Sequence, residues 1–369
     1  MIRPQDLTRP PQSHTSVENC VTSQPMRNLA CVHIAGVAIF MTLTGFITST
    51  GCGPSANQPP ESQKPDTSAT QLDTDKNYRP TKIAAEHLPN AFRIHQKVIS
   101  GGLPEGEKAF QELAALGVKT VISVDGATPD VQLARQHGMR YVHLPHGYDG
   151  VPKEKIEQLA KAVRDLPGPI YIHCHHGKHR SPTAAAVACV GAGLLPPSQS
   201  LAVLQTAGTS DGYKGLYESA REARRFETSL LDQLDANFPE KAELPPFAEA
   251  MVELEHTHDH LKRIAAAGWK TPASHPALEP AHEALLLREH FTEMLRSESA
   301  AGRSSDFISS LQTSESAAQQ LEKAIEAKNS SKTNQDWTII AQRAFDRVSA
   351  ECKACHTQHR DVPLSKKRQ

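Results

Sequence analysis

Residues 173–181 read His-Cys-His-His-Gly-Lys-His-Arg-Ser. A cysteine, five intervening residues, an arginine and a serine form a set that could handle a phosphoryl group. Just before it, Pro169-Ile170-Tyr171-Ile172 is a short apolar run that reads as a buried strand. Just after it, Pro182-Thr183-Ala184-Ala185-Ala186-Val187-Ala188 reads as a helix, with Ser181 as its N-cap and Pro182 at its first position. A cysteine thus closes a strand, a loop turns, and a helix begins. Loop amides and a helix N-terminus that converge on one point favour an anion there, and the same field favours a thiolate over a thiol. The planar fork of Arg180 can grip two phosphate oxygens. Gly177 permits a turn that a side chain would obstruct. The chemistry these residues suit is attack by sulfur on the phosphorus of a bound ester.

The stretch resembles the signature loop of the protein tyrosine and dual-specificity phosphatases, on Cys174, Gly177, Arg180, Ser181 and the preceding His173. A rhodanese-like sulfur-transfer loop also presents a cysteine on a cradle of amides, but the cysteine-to-arginine spacing and the serine after the arginine argue against it. The resemblance implies that Cys174 is the nucleophile, that Arg180 holds the phosphoryl group, and that the Ser181 hydroxyl helps the thiolate leave. It implies that His173 holds the loop by hydrogen bonds rather than reacting. His175, His176, Gly177, Lys178 and His179 complete the phosphate-binding loop, and the three histidines among them read as a solvated rim rather than as metal ligands. Phosphatases of this kind take a general acid from an upstream loop. Asp149, in His146-Gly147-Tyr148-Asp149-Gly150-Val151-Pro152, is the first candidate, and Asp125, in Val124-Asp125-Gly126, is the alternative. Gly177-Lys178-His179-Arg180 also resembles the plant and fungal atypical dual-specificity phosphatases, some of which act on inositol pyrophosphates. This chain has Ser181-Pro182 where those tend to have Thr-Gly. Lys178 adds charge suited to a polyanion.

The elements that must position these residues are legible around them. From about Arg79 to Asp235 strands and helices alternate: strands at 97–100, 119–124, 140–144 and 170–172, helices at 106–116, 131–137 and 153–166. The pattern predicts an α/β domain with a mostly parallel sheet and the reactive loop at a strand's C-terminal end. Tyr213 to Leu234 reads as one charged helix. Ala236 to Pro246 carries three prolines and reads as a linker.

From Phe247 onward no strand pattern remains. Four helical segments, at 247–267, 278–297, 307–328 and 336–359, predict an all-α antiparallel four-helix bundle over residues 247–369. The last segment carries Cys352-Lys353-Ala354-Cys355-His356, the spacing of covalent c-type haem attachment. With Arg360 beyond it, the segment resembles the last helix of cytochrome c′ and the related c556-type proteins, with His359 where an aromatic residue is frequent. The resemblance implies thioethers from Cys352 and Cys355, His356 as an axial ligand of the iron, and a sixth position facing the first helix of the bundle. Met251 is the candidate there, with His256, His258 and His260 as rivals and a plain core role for Met251 as the bland alternative.

The N-terminal 52 residues read as an export signal. Leu29 to Ile47 is apolar and uncharged, Arg27 precedes it, and Ser49-Thr50-Gly51-Cys52 resembles a bacterial lipoprotein cleavage site in which Cys52 carries the lipid. An uncleaved membrane anchor is the alternative, because the run approaches the ~20 residues that span a bilayer. Residues 53–78 are rich in Pro, Ser, Thr, Gln and Asp and read as a flexible tether.

The chain of 369 residues is too long for one typical domain, and its net charge of −1, from 40 basic and 41 acidic residues, gives no reason to expect a nucleic-acid partner. The expectation is an exported, periplasmic or cell-surface protein anchored at its N-terminus. In it a cysteine-dependent phosphomonoester phosphatase is fused to a c-type haem domain. The alternative is a haem sensor or electron-transfer protein whose phosphatase-like module only binds anions. Compatible partners are a phosphorylated protein or small polyanionic phosphate, a redox partner or diatomic gas, and a second copy joined through the bundle.

Overall fold

The computed structural model describes residues 79–327 and 337–367. The expected export signal, Cys52 and the 53–78 tether lie outside the described residues. Among the described residues no helix is long and apolar enough to cross a membrane.

The first part of the chain forms a six-stranded mixed sheet: β1 (Thr81–Lys82), β2 (Phe92–His95), β3 (Val98–Gly101), β4 (Thr120–Ser123), β5 (Arg140–His143) and β6 (Ile170–His173), in the spatial order β1-β2-β3-β6-β4-β5. The four strands β3, β6, β4 and β5 run parallel, whereas β1, β2 and β3 pair antiparallel. The sheet is mostly parallel, with a hairpin edge that sequence patterning passed over because β1 has only two residues and β2 only four. Four-residue strands offer too short a period to read.

Side chains alternate between the two faces of these strands. Val98, Ile122, Val142, Ile170 and Ile172 enter one apolar cluster, while Ile99, Val121, Tyr141 and Tyr171 enter another on the opposite face. The first face is covered by α3 (Lys153–Asp165) and α4 (Arg180–Gly191). The second lies under α1 (Gly106–Ala115), with α2 (Val131–Gln136) contributing Ala134. Every residue of α4 from Ser181 to Gly191 is buried, because the helix is packed against the sheet, α3, α5 (Ser200–Ala207) and α6 (Lys214–Arg221). A helix enclosed on all sides tolerates apolar residues all round, which explains its Ala-rich composition.

Two local expectations are corrected. Ser181 is not the helix N-cap: α4 begins one residue earlier, at Arg180, with His179 in the capping position. The Ser181 hydroxyl is drawn inward to other partners. Residues 213–234 are not one helix but α6 and α7 (Thr228–Gln233), separated where the Phe226 amide bonds the carbonyl of Gly191, 3.0 Å away. Docking onto the end of α4 outweighs the local helical propensity there.

Residues 236–246 run along the outer edge of the sheet. The His143 amide donates to the carbonyl of Pro239 at 2.8 Å, and the Ala242 amide donates to His143 Nδ1 at 3.0 Å. Beyond them lie α8 (Pro246–Ala266), α9 (Pro280–Arg296), α10 (Glu298–Ala301), α11 (Ser305–Glu326) and α12 (Trp337–Cys355). The four long helices share an apolar cluster of their own, including Leu261, Leu287, Phe291, Leu311, Leu321 and Val348. After α12 the chain makes a wide turn at His356–Arg360 and ends its described part in α13 (Leu364–Lys367).

Candidate active site

Cys174 follows β6, the strand at the centre of the parallel array, so the loops after β3, β4, β5 and β6 gather around it. It is buried, and its Sγ lies 3.3 Å from the Ser181 hydroxyl. That hydroxyl in turn donates to the carbonyl of Gly101 at 2.9 Å. The loop from Cys174 to Arg180 is held from outside. Asn90 Nδ2 donates to the carbonyl of Gly177 at 2.9 Å, Thr209 Oγ1 donates to that of Lys178 at 2.6 Å, and the amide of Leu103 donates to that of His175 at 3.0 Å. Three loop carbonyls are thus bound from outside, and no amide of residues 175–179 donates to a backbone carbonyl in the turns and loops of the described residues.

Gly177 is required twice. Its φ of +70° is a left-handed conformation, and a Cβ there would fall on the backbone of Gly101 and Gly102 at the end of β3. Just below the loop, His173 is buried, its Nε2 is 2.6 Å from the Tyr141 hydroxyl, and burial lowers its pKa to about 4. A neutral ring at that point adds no charge and holds the end of the strand.

Arg180 opens α4 with its Nε buried and without a hydrogen-bond partner among the described residues. Its guanidinium carbon lies 4.5 Å from the centroid of the Tyr148 ring, and the Arg360 guanidinium carbon lies 4.2 Å from that same centroid. Tyr148 also meets Tyr213, 4.9 Å between centroids, and Tyr213 meets His179 at 4.6 Å. Burial, with the charges of His176 and Arg180, lowers the His179 pKa to about 4. Stacked arginines hold their charge against ring faces without losing their donors. Tyr148 does not stand out in sequence, and Arg360 does so only as the arginine beyond the Cys-x-x-Cys-His motif, because their meeting depends on a contact between segments more than 200 residues apart.

The other loop histidines divide. His175 Nε2 is 3.0 Å from Asp259 Oδ2 on α8, and this hydrogen bond raises the His175 pKa. His176 stacks edge-on against His175, 4.3 Å between centroids, and burial lowers its pKa. The expected solvated rim is thus a contact surface at His175.

The two candidate acids also divide. Asp125 is buried, and its Oδ1 accepts from Ser123 Oγ at 3.2 Å and from the amide of Ala127 at 3.0 Å, so it shapes its own turn. Asp149 lies beside Tyr148 on the loop between β5 and α3, and its Oδ2 accepts from Lys367 Nζ at 2.9 Å.

At the far end of α12, Cys352 and Cys355 are free, Cys355 is buried, and burial pushes the Cys352 thiol up to about 12. Burial lowers the His356 pKa to about 3, which keeps its imidazole neutral. All three line a cavity of about 590 Å³, with Met251, His258 and Phe291 also in its wall. Of the rivals to Met251, His258 reaches this cavity, its Nε2 3.0 Å from Ser349 Oγ. His260 instead bonds Glu283 at 3.0 Å and His256 is exposed. The volume lies within the ~300–1,000 Å³ of small-molecule and cofactor sites. Two thiols and a neutral imidazole on one wall fit a covalently attached haem.

Two expectations follow from this geometry. Gly177→Ala should strain the loop and push it off Gly101, so the variant should stay folded yet lose affinity for tungstate or phosphate by at least ten-fold in titration calorimetry. The second concerns His175 and Asp259. The His175 pKa is raised above its unfolded value near 6.5, so the stabilisation is fully present below about pH 6.5 and is lost as pH rises through the folded value. The Asp259 pKa is lowered, so its share is present above about pH 4 and is lost only in stronger acid. Thermal unfolding from pH 5 to 8.5 should therefore show wild-type protein losing its advantage over Asp259→Asn as pH rises.

No protein-family model matches the chain, and no curated protein matches it. Among solved structures the chain is similar to P. aeruginosa TpbA, with 22% identity, a TM-score of 0.35, and coverage of 41% of this chain and 93% of that one. A variant of TpbA in complex with pTyr gives 21% identity, a TM-score of 0.35 and the same coverage. The core catalytic domain of the PP-IP phosphatase SIW14 from S. cerevisiae, in complex with citrate, gives 14% identity and a TM-score of 0.30, covering 34% of this chain and 79% of that one.

Proposed function

We propose that the chain is a cysteine-dependent phosphomonoester phosphatase of the tyrosine and dual-specificity type, joined to a helical region that binds c-type haem. One observation carries the first half. A buried sulfur sits at the start of a loop whose carbonyls are bound from outside, beside the half-buried Arg180, whose buried Nε has no hydrogen-bond partner among the described residues. A buried guanidinium N–H left without an acceptor is costly, and a bound phosphate would supply one.

In this reading the Cys174 thiolate attacks phosphorus, and the P–O bond to the leaving group breaks. Arg180 and the loop amides hold the three equatorial oxygens as charge spreads over them. Asp149 gives its proton to the leaving oxygen. It then takes a proton from the water that attacks the phosphocysteine, releasing phosphate and the thiolate. The Ser181 hydroxyl, 3.3 Å from Sγ, would turn its proton from the Gly101 carbonyl to the thiolate as it departs. Lys178 and the arginines near the loop favour substrates with more than one negative charge, such as phosphorylated protein or a small polyanionic phosphate.

For the second half, Cys352 and Cys355 would hold the haem through thioethers, His356 would ligate the iron, and either Met251 or His258 would face it from α8. When bound, the haem supplies a redox centre or a gas-binding iron. The chain's own residues keep the imidazole neutral and line the cavity with Met251, Leu254, Phe291 and Leu311 among charged and polar side chains such as Lys262 and Arg360. Export and N-terminal anchoring through Cys52 belong to the same reading and rest on sequence, as does the placing of the haem domain outside the cytoplasm.

The catalytic residues should fail in different ways. Cys174→Ser should abolish turnover while retaining anion binding, because Arg180 and the amides remain. Asp149→Asn should slow an alkyl phosphate by roughly 10²–10⁴-fold and an aryl phosphate with a good leaving group far less. Full turnover in Cys174→Ser would sink the phosphatase reading. For the haem, protein matured with a cytochrome c assembly system should keep its colour through acid–acetone extraction. His258→Leu or Met251→Leu should change the spectrum according to which side chain reaches the iron. A colourless protein would remove the haem half and leave the phosphatase half standing.

A further inference from the structure

The loop that carries Asp149 is held between α6 and the segment that follows the Cys-x-x-Cys-His motif. On one side a Cβ at Gly215, near the start of α6, would collide with the Asp149 carbonyl, so the backbone of the loop lies directly on that helix. The amide of Val151 is held by Ser219 Oγ at 2.9 Å. On the other side the Leu364 amide donates to the Asp149 carbonyl at 2.9 Å. Lys367 Nζ donates to Asp149 Oδ2 at 2.9 Å and to the Arg360 carbonyl at 3.2 Å, and Ser365 Oγ donates to Glu218 Oε2 at 2.9 Å. Arg360 lies on the ring of Tyr148, the residue before Asp149. Residues 360–367 therefore touch the acid loop at its ring, its backbone and its carboxylate.

We propose that this segment is an autoinhibitory latch: Lys367 holds the Asp149 carboxylate away from proton donation, and lifting residues 364–367 frees it. The inference rests on Asp149 being the general acid. With Oδ2 engaged by Lys367 and its backbone carbonyl engaged by Leu364, Asp149 must leave these partners before its carboxyl can swing to a leaving group. The latch is weak enough to open. Its ion pair is partly exposed, with side-chain exposures of 37% for Lys367 and 19% for Asp149, and such pairs shift an equilibrium by no more than about five-fold. It is also placed to respond, because only seven residues of one continuous chain separate His356 from Leu364.

The test compares full-length wild type, Lys367→Met and a chain ending at Pro363. Each is assayed with an alkyl phosphate, whose oxygen needs a proton to leave, and with an aryl phosphate, whose oxygen does not. Both variants should raise kcat on the alkyl phosphate two- to five-fold with KM unchanged, and should leave the aryl phosphate within error of wild type. High salt should raise the wild-type alkyl rate toward that of Lys367→Met. A fall in the alkyl rate of both variants would overturn the proposal and make the segment a support for the acid. Unchanged alkyl rates would overturn it as well. Hydrogen exchange gives a readout independent of turnover: the Leu364 amide should exchange several-fold faster in Lys367→Met. If wild type turns over neither ester, the phosphatase reading has failed. Unchanged Leu364 exchange would then reject the latch separately.

Discussion

Arg180 sets the terms for the first half of the molecule. Its Nε is buried with no partner among the described residues, and it opens a helix whose N-terminal amides add to the same positive field. A half-buried guanidinium in that position is best held when the fold sets it against something and leaves room for an anion. Tyr148 supplies the first condition with its ring face. The second is met by the way the loop is pinned. Asn90, Thr209 and Leu103 each bind a loop carbonyl from outside, which fixes those three peptide planes. Gly177 lies where a side chain would lift the loop off the end of β3. Removing any of these would leave a positive pole with the wrong shape rather than a neutral one.

The helical second half reaches the same rim. Asp259 on α8 meets His175, and Arg360 beyond α12 meets Tyr148. Each half has its own apolar cluster, and these rim contacts between them are polar or charged. Polar contacts of partly exposed groups are individually weak and respond to pH and salt. The rim is therefore a place where the two halves can influence each other without unfolding either core. The cysteine pair lies on the helix that leads into it, with His356 at the start of the turn that follows. Arg360 and the residues after it connect that part of the chain to Tyr148 and Asp149.

Much of the first half was legible in the chain itself. A strand, a cysteine, a loop containing glycine and a helix leave few arrangements open, since backbone geometry places the amides and the helix field on one point. Hydrophobic periodicity located the parallel strands and the helices that cover them. The spacing of Cys352, Cys355 and His356 was likewise visible, since residues three and four apart share one face of a helix. Period failed where elements were too short to carry one, as in β1 and β2, or where docking broke a helix, as between α6 and α7.

What the sequence by itself determined was local: which side chains stand next to the sulfur, which way the loop can turn, and which helix carries the two thiols. The tertiary structure decided the partners. It moved Ser181 from a cap to the Cys174–Gly101 contact, gave Asp125 to its own turn, and set Asp149 against Lys367, 218 residues away. It turned His175 from a rim residue into the partner of Asp259, and brought His258 but not His256 or His260 to the cavity. The physical reason is the range of the forces. Backbone sterics and helical period act over a few residues and are written in order along the chain. Which charge meets which depends on how two packed cores come to rest against each other, and no spacing in the sequence encodes that.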